Sequence, residues 1–300
     1  PRSVYSGRQS QLEVRAPRVS DAASSEVVID GSIAEPVWQR AVLLTGFSLH
    51  QPIGGQPAPD STEVLVWYSP NAMYFAIRAF EPHGGGSAVR ATLADRDRVS
   101  GDDNVEIHLD TFGNRRRAFV FIVNPLGIQA DGTKSEGGGF MPGSNIMPGQ
   151  NDLSPDFLWQ SKGRVTEWGY EVELRVPFSA LRYPGGDSQD WGLQIVRNVQ
   201  HSGYQETWTP ARRASASFLS QAGSLRELRG LQYRQAVELN PELTSTTSGL
   251  PSTPGSSTDW RYRSASALGG NIRWGMTSNI TLNGTVKPDF SQVGADARQI

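Results

Sequence analysis

The chain has 300 residues, and 28 Lys and Arg against 30 Asp and Glu leave a formal net charge of −2, which implies neither nucleic acid nor an anionic membrane surface as a partner. It contains no cysteine, so disulfides, thiolate zinc sites and cysteine nucleophiles are excluded. Thirty-two Gly and 19 Pro, set among short alternating segments, predict many turns and an all-β chain.

Residues 1–24 carry Arg2, Arg8, Arg15 and Arg18 among polar residues and read as an extended N-terminal tail. The chain opens at Pro1 with neither an initiator Met nor a signal peptide's apolar core, as expected of a processed or trimmed chain. Strand patterns follow at Glu63–Tyr68, Met73–Phe80, Asn104–Asp110, Arg117–Asn124, Gly169–Val176 and Gly192–Val199, with turn signals between them. PFSALRYP has room for one helical turn. No apolar run approaches the ~20 residues of a membrane helix.

Within DDNVEIHLDTFGNRRRAFVFIVN (Asp102–Asn124) the first half alternates strictly and the second is apolar almost throughout. Val105, Ile107 and Leu109 are expected to face a core, with Glu106 and His108 on the opposite side. If Asp110 pairs with Arg117, Glu106 and His108 lie beside Phe121 and Phe119 on one face. Rings among hydrogen-bonding groups make either a ligand-binding face or a layer hidden under another segment.

Thr133–Phe157 has no period and is dense in Gly and Pro, and a connection that long is usually functional or disordered. Its Phe140, Met141, Ile146 and Met147 have little local means of burial, which predicts a partner-docking loop. From about Tyr233 the texture changes to longer alternating stretches, so a domain boundary is placed near Leu231. The expected units are the tail, a sandwich over 25–232 and a strand segment over 233–300.

VVIDGSIAEPVWQRA (Val27–Ala41) resembles the opening of family 9 carbohydrate-binding modules, in which an Ile-Asp-Gly turn leads to Glu-Pro-x-Trp. TEVLVWYSPNAMYFAIRAFEP, the hairpin above with PLGIQADG, WGYEVELRVPFSALRYP and WGLQIVRN follow in the family's order, and together cover most of residues 26–232. The chain also resembles envelope proteins in which such a module precedes an outer-membrane β-barrel of unknown function. Its NITLNGTVKPDFSQVGADARQI resembles the first barrel strands. Only about three strands fit after Tyr233, whereas a barrel needs at least eight. The resemblance implies a jelly-roll-like antiparallel β-sandwich followed by a few extra strands. It also implies a place in the periplasm or outer membrane of a Gram-negative-type bacterium.

Enzyme motifs are missing: there is no G-x-S-x-G, no H-E-x-x-H, and GIQADGTK lacks the ending of a phosphate loop. The expected function is therefore non-catalytic binding of saccharide, or alternatively a scaffold subunit of a membrane-associated complex. Sugar binding needs an aromatic face and hydroxyl-binding groups. The candidates are Trp67, Trp159 and Trp208 with Glu106, His108, Arg117, Glu171 and Glu173; Trp168 and Trp191 are further rings, and most tryptophans are expected in the core. No cofactor is expected to be required. Family 9 modules can bind calcium, for which Asp102 and Asp103 in DRDRVSGDDNVE are the candidate ligands, against a reading as a charged turn that caps backbone N–H groups. Related sandwiches hold haem, but there is no C-x-x-C-H here, and haem is not expected.

Overall fold

The structure, a computed structural model, describes residues 2–136, 150–215, 217–232, 237–252, 260–275 and 281–286. Phe140, Met141, Ile146 and Met147, the expected docking residues, lie outside them. The chain divides into two units, 1–234 and 235–300.

In chain order the strands of the first unit are β1 (Val4–Ser6), β2 (Glu13–Val14), β3 (Val42–Thr45), β4 (Ser48–Gln51), β5 (Thr62–Tyr68), β6 (Ala72–Phe80), β7 (Asn104–Asp110), β8 (Arg117–Val123), β9 (Gln129–Ser135), β10 (Asn151–Asp152), β11 (Gln160–Thr166), β12 (Gly169–Pro177), β13 (Ser188–Val199), β14 (Tyr204–Thr207) and β15 (Gly223–Arg229). One sheet runs β1-β3-β5-β6-β12-β11. The other runs β10-β9-β8-β7-β13-β14-β4, with β15 beside β13 and β2 beside β15. PFSALRYP makes a single 3-10 turn at Phe178–Ala180.

The alternating residues bring the sheets together. Val64, Phe75, Ile77, Val172 and Leu174 of the first sheet share one core with Val105, Ile107, Leu109, Phe121 and Ile195 of the second, all fully buried. Each such side chain contributes about 1.5–3 kcal/mol of burial. β5 and β6 are apolar on both faces because a second cluster covers the outside of the first sheet. There Leu65, Trp67 and Tyr74 pack against Val19, Ile33, Val37 and Trp38. Residues 2–24 take part in this architecture: β1 lies parallel to β3, β2 parallel to β15, and Val14 and Val19 are buried.

The β7–β8 hairpin corrects one expectation. Leu109 pairs with Phe119 and Ile107 with Phe121, one residue away from the Asp110–Arg117 register. Phe119 and Phe121 therefore side with the core, and Glu106 and His108 are flanked by Ile122 and Val120. The cause is the turn. Asp110 accepts the N–H of Phe112 (3.2 Å) and of Arg115 (2.6 Å), while Gly113 and Arg115 adopt positive φ. This closed loop sets the register.

The second unit is an antiparallel sheet of three described strands, β16 (Val237–Pro251), β17 (Trp260–Gly275) and β18 (Thr281–Val286). Among the described residues, no helix is long and apolar enough to cross a membrane.

Candidate functional site

The outer side of β7 carries Glu106 and His108, which sit together because residues two apart share a strand face. His108 Nε2 lies 3.0 Å from Glu106 Oε2, which also accepts the Asn151 side-chain amide at 3.1 Å. Oε1 accepts the Asn198 amide from β13 at 2.9 Å. Burial alone would raise the Glu106 carboxyl, but these hydrogen bonds and the adjacent imidazole outweigh it and hold it at about 2. The group is thus an ionised acceptor at neutral pH.

Phe218 lies over the same face. Its half-buried ring meets His108 and His50 edge-on, each at 5.6 Å between centroids, and the Lys134 ammonium lies 5.3 Å from its centre. His50 is anchored to the carbonyl of Ala211 at 2.9 Å. Burial lowers the pKa of Lys134, and nearby Glu106 and Glu136 oppose that shift. Glu136 in turn accepts the N–H of Leu219 at 2.7 Å, tying β9 to the segment that carries Phe218. These groups form a polar layer partly covered by Phe218: His108 and Lys134 are buried, and Glu106, Asn198 and Phe218 are half-buried and reach its surface.

Of the sequence candidates, Glu106 and His108 meet here and the others do not. Trp67 is fully buried outside the first sheet, stacked on Tyr74 at 3.8 Å and edge-on to Trp38. Trp159 wedges against Phe121 in the core, and Trp208 is buried there as well, so none of the three offers a ring to a ligand. Trp191 is in the same core, while Trp168 is half-buried against Phe80. Arg117 is exposed at the start of β8. Glu171 is buried between Arg164 (2.7 Å) and Arg78 (3.3 Å). Glu173 accepts the Trp38 indole N–H at 2.9 Å and the N–H groups of Asp30 and Gly31, which pins residues 30–38 to the sheet. Burial pushes its carboxyl up to about 7.

Asp102 and Asp103 fit calcium poorly. Asp102 accepts the N–H and hydroxyl of Thr92 and the amide of Asn124; Asp103 accepts the N–H groups of Arg90 and Gln200. Calcium needs six to eight oxygens, and these carboxylates are ringed by N–H and O–H donors. They clamp the loop between β6 and β7 onto its neighbours. Of the methionines, Met73 is a core residue between the sheets.

Sequence reasoning missed Asn198, Lys134, His50 and Phe218. Lys134 sits in β9, whose QADGTKS has no apolar period, and Phe218 follows a stretch with no regular pattern. Pairing across the sheet brings Asn198, Lys134 and His50 together, and the loop leading into the 3-10 turn at Leu219–Gln221 lays Phe218 over them.

No family model and no curated protein matches the sequence. Solved structures do. A candidate carbohydrate-binding protein from Bacteroides uniformis superposes with a TM-score of 0.53 at 13% identity, over 71% of this chain and 98% of its own. A family 9 carbohydrate-binding module from Caldicellulosiruptor kristjanssonii matches in its cellotriose complex (TM-score 0.46, 16% identity, 73% of this chain and 95% of its own). Its glucose complex matches similarly (TM-score 0.47, 15% identity, 74% and 96%). In fold, the first unit is a carbohydrate-binding-module-like β-sandwich.

Proposed function

We propose that the chain is a non-catalytic binding module of the cell envelope, and that its sandwich binds saccharide at the Glu106 face. The observation that carries this reading is the half-buried ring of Phe218 against His108 and Lys134, with the half-buried Glu106 and Asn198 bonded beside them. Hydroxyls need fixed acceptors and donors, and the C–H side of a pyranose needs a ring. A Glu106 held ionised supports binding over general-acid chemistry, which needs a carboxyl still protonated near neutral pH. The test is calorimetric titration of the full chain with a panel of gluco-, xylo- and galacto-oligosaccharides. Binding to at least one class, weakened about tenfold in Phe218→Ala, is expected; no binding across the panel overturns the reading.

A second role rests on the C-terminal sheet. Leu239, Leu243, Leu268, Ile272, Leu282 and Val286 share one face by register and are all exposed, whereas Asn240, Glu242, Arg263 and Asn271 take the other. An apolar face of this size marks an interaction surface. We read it as the element that attaches the module to the envelope membrane or to a protein there, in keeping with the resemblance to barrel strands. Leu243→Asp with Leu268→Asp, a cross-strand pair, should abolish co-flotation with lipid vesicles or with native membrane fragments and leave the sandwich's melting temperature unchanged. Unaltered flotation with both would remove this role.

A further inference from the structure

At one end of the sandwich the turn after β6 meets the turn between β13 and β14. Glu81 and His83 come from the first, His201 from the second, and Asp60 from the residues just before β5. One ligand-type atom from each of Glu81, His83 and His201 lies within 4.8 Å of the others. His201 Nδ1 is 3.3 Å from Glu81 Oε2, and His83 Nδ1 is 3.8 Å from both Glu81 Oε1 and Asp60 Oδ1.

The carboxylates are deeply buried, Asp60 at 3% and Glu81 at 4% exposure. Asp60 Oδ1 points into the cluster without a hydrogen-bond partner. Such an acceptor is costly unless a cation or donor meets it. The buried guanidinium nearby among the described residues, Arg197, has its terminal nitrogens committed to Ser61, Thr62 and Phe80. Arg197 must also offset Glu206, fully buried and close enough to feel Asp60 and Glu81. Asp60 and Glu81 thus share this arginine with Glu206, and a cation among them would meet the Asp60 oxygen that has no partner.

The donor types decide which ion. Two imidazoles and two carboxylates suit zinc and its first-row neighbours, not calcium, which takes oxygens alone. Tetrahedral zinc, with bonds of about 2.0–2.2 Å, sets its ligand atoms roughly 3.3–3.6 Å apart; the 3.3 Å between His201 Nδ1 and Glu81 Oε2 matches, and the exposed His83, at 3.8 Å from each carboxylate, would close in on the ion. Glu81 is also held in place: its N–H donates to the Trp168 carbonyl at 2.8 Å, and its Oε1 accepts the N–H of His83 at 2.9 Å. Oε2 is left toward His201, as expected of a ligand oriented by its surroundings. We propose that Glu81, His83 and His201, with Asp60 beside His83 as the fourth group, form a zinc-type divalent metal site that staples the first sheet to the second.

The experiment uses the tag-free full chain stripped with chelator, titrated with cobalt(II) and followed by its visible d–d bands, then with zinc by calorimetry. One equivalent is expected to bind with a tetrahedral cobalt spectrum. Zinc should displace the cobalt, and excess calcium should not. His83→Gln and His201→Gln should each weaken binding by roughly tenfold or more, and saturating zinc should raise the melting temperature of the native chain but not of the variants. His83 is largely exposed on its turn, so its variant tests the site even if His201→Gln fails to fold. No binding, an octahedral cobalt spectrum, or equal binding by His83→Gln would show ion pairs only and overturn the proposal.

Discussion

Replacing Glu106 by Gln tests the polar face most sharply. The carboxylate accepts three hydrogen bonds, from His108, Asn151 and Asn198, and its side chain is 15% exposed. An amide keeps one acceptor oxygen and turns the other into a donor that faces a donor. Holding the carboxyl at about 2 against an ordinary 4.5 corresponds to about 3 kcal/mol of stabilisation at neutral pH. Because the folded value is depressed, that stabilisation is present above about 4.5 and lost as the pH falls toward 2. Glu106→Gln should therefore cost roughly 2–3 kcal/mol at pH 7, or about 5–10 °C in melting temperature for a unit of this size. The gap should narrow below pH 4.5. Urea unfolding followed by tryptophan fluorescence at pH 7 and pH 3 measures both. A loss below about 0.5 kcal/mol at pH 7, or the same gap at both pH values, would refute the reasoning.

Ile107→Asp places a charge between Phe121 and Ile195 and should cost at least about 3–5 kcal/mol, read as unfolding or a collapsed melting curve. Glu173, pushed up to about 7, binds a proton in the folded state that the unfolded chain has released. Its contribution is full below about 4.5 and disappears as the pH rises through 7, so Glu173→Gln should flatten the decline in stability between pH 5 and 8. Trp67→Ala should cost roughly 3–5 kcal/mol and leave saccharide affinity unchanged, which calorimetry on the folded variant checks.

The strongly periodic segments were legible, because a strand with one buried face records it in every second residue. β7 matches its predicted span and β5, β6, β8 and β12 match within a residue at each end. β9 and β11 were not legible: QADGTKS and QSKGRVT lie toward the sheet edges and hold their place by backbone pairing. The site was half legible. Alternation put Glu106 and His108 on one face, but it gave no sign of the three hydrogen bonds that commit the Glu106 carboxylate. The donors that commit it include Asn151 and Asn198, 45 and 92 residues away in sequence. The tryptophans misled for a related reason: residues 19–41 fold over the first sheet and turn an apparently open face around Trp67 and Glu173 into a second core.

The most direct test of the saccharide-binding face is an amide chemical-shift map of the full chain titrated with the tightest-binding oligosaccharide from the panel. Saturable shifts are expected, confined to β7, the second half of β13, Lys134 and the residues around Phe218, and lost in Phe218→Ala. Shifts centred on the outer side of the first sheet, around Trp38 and Glu171, would contradict this, as would no shifts at all.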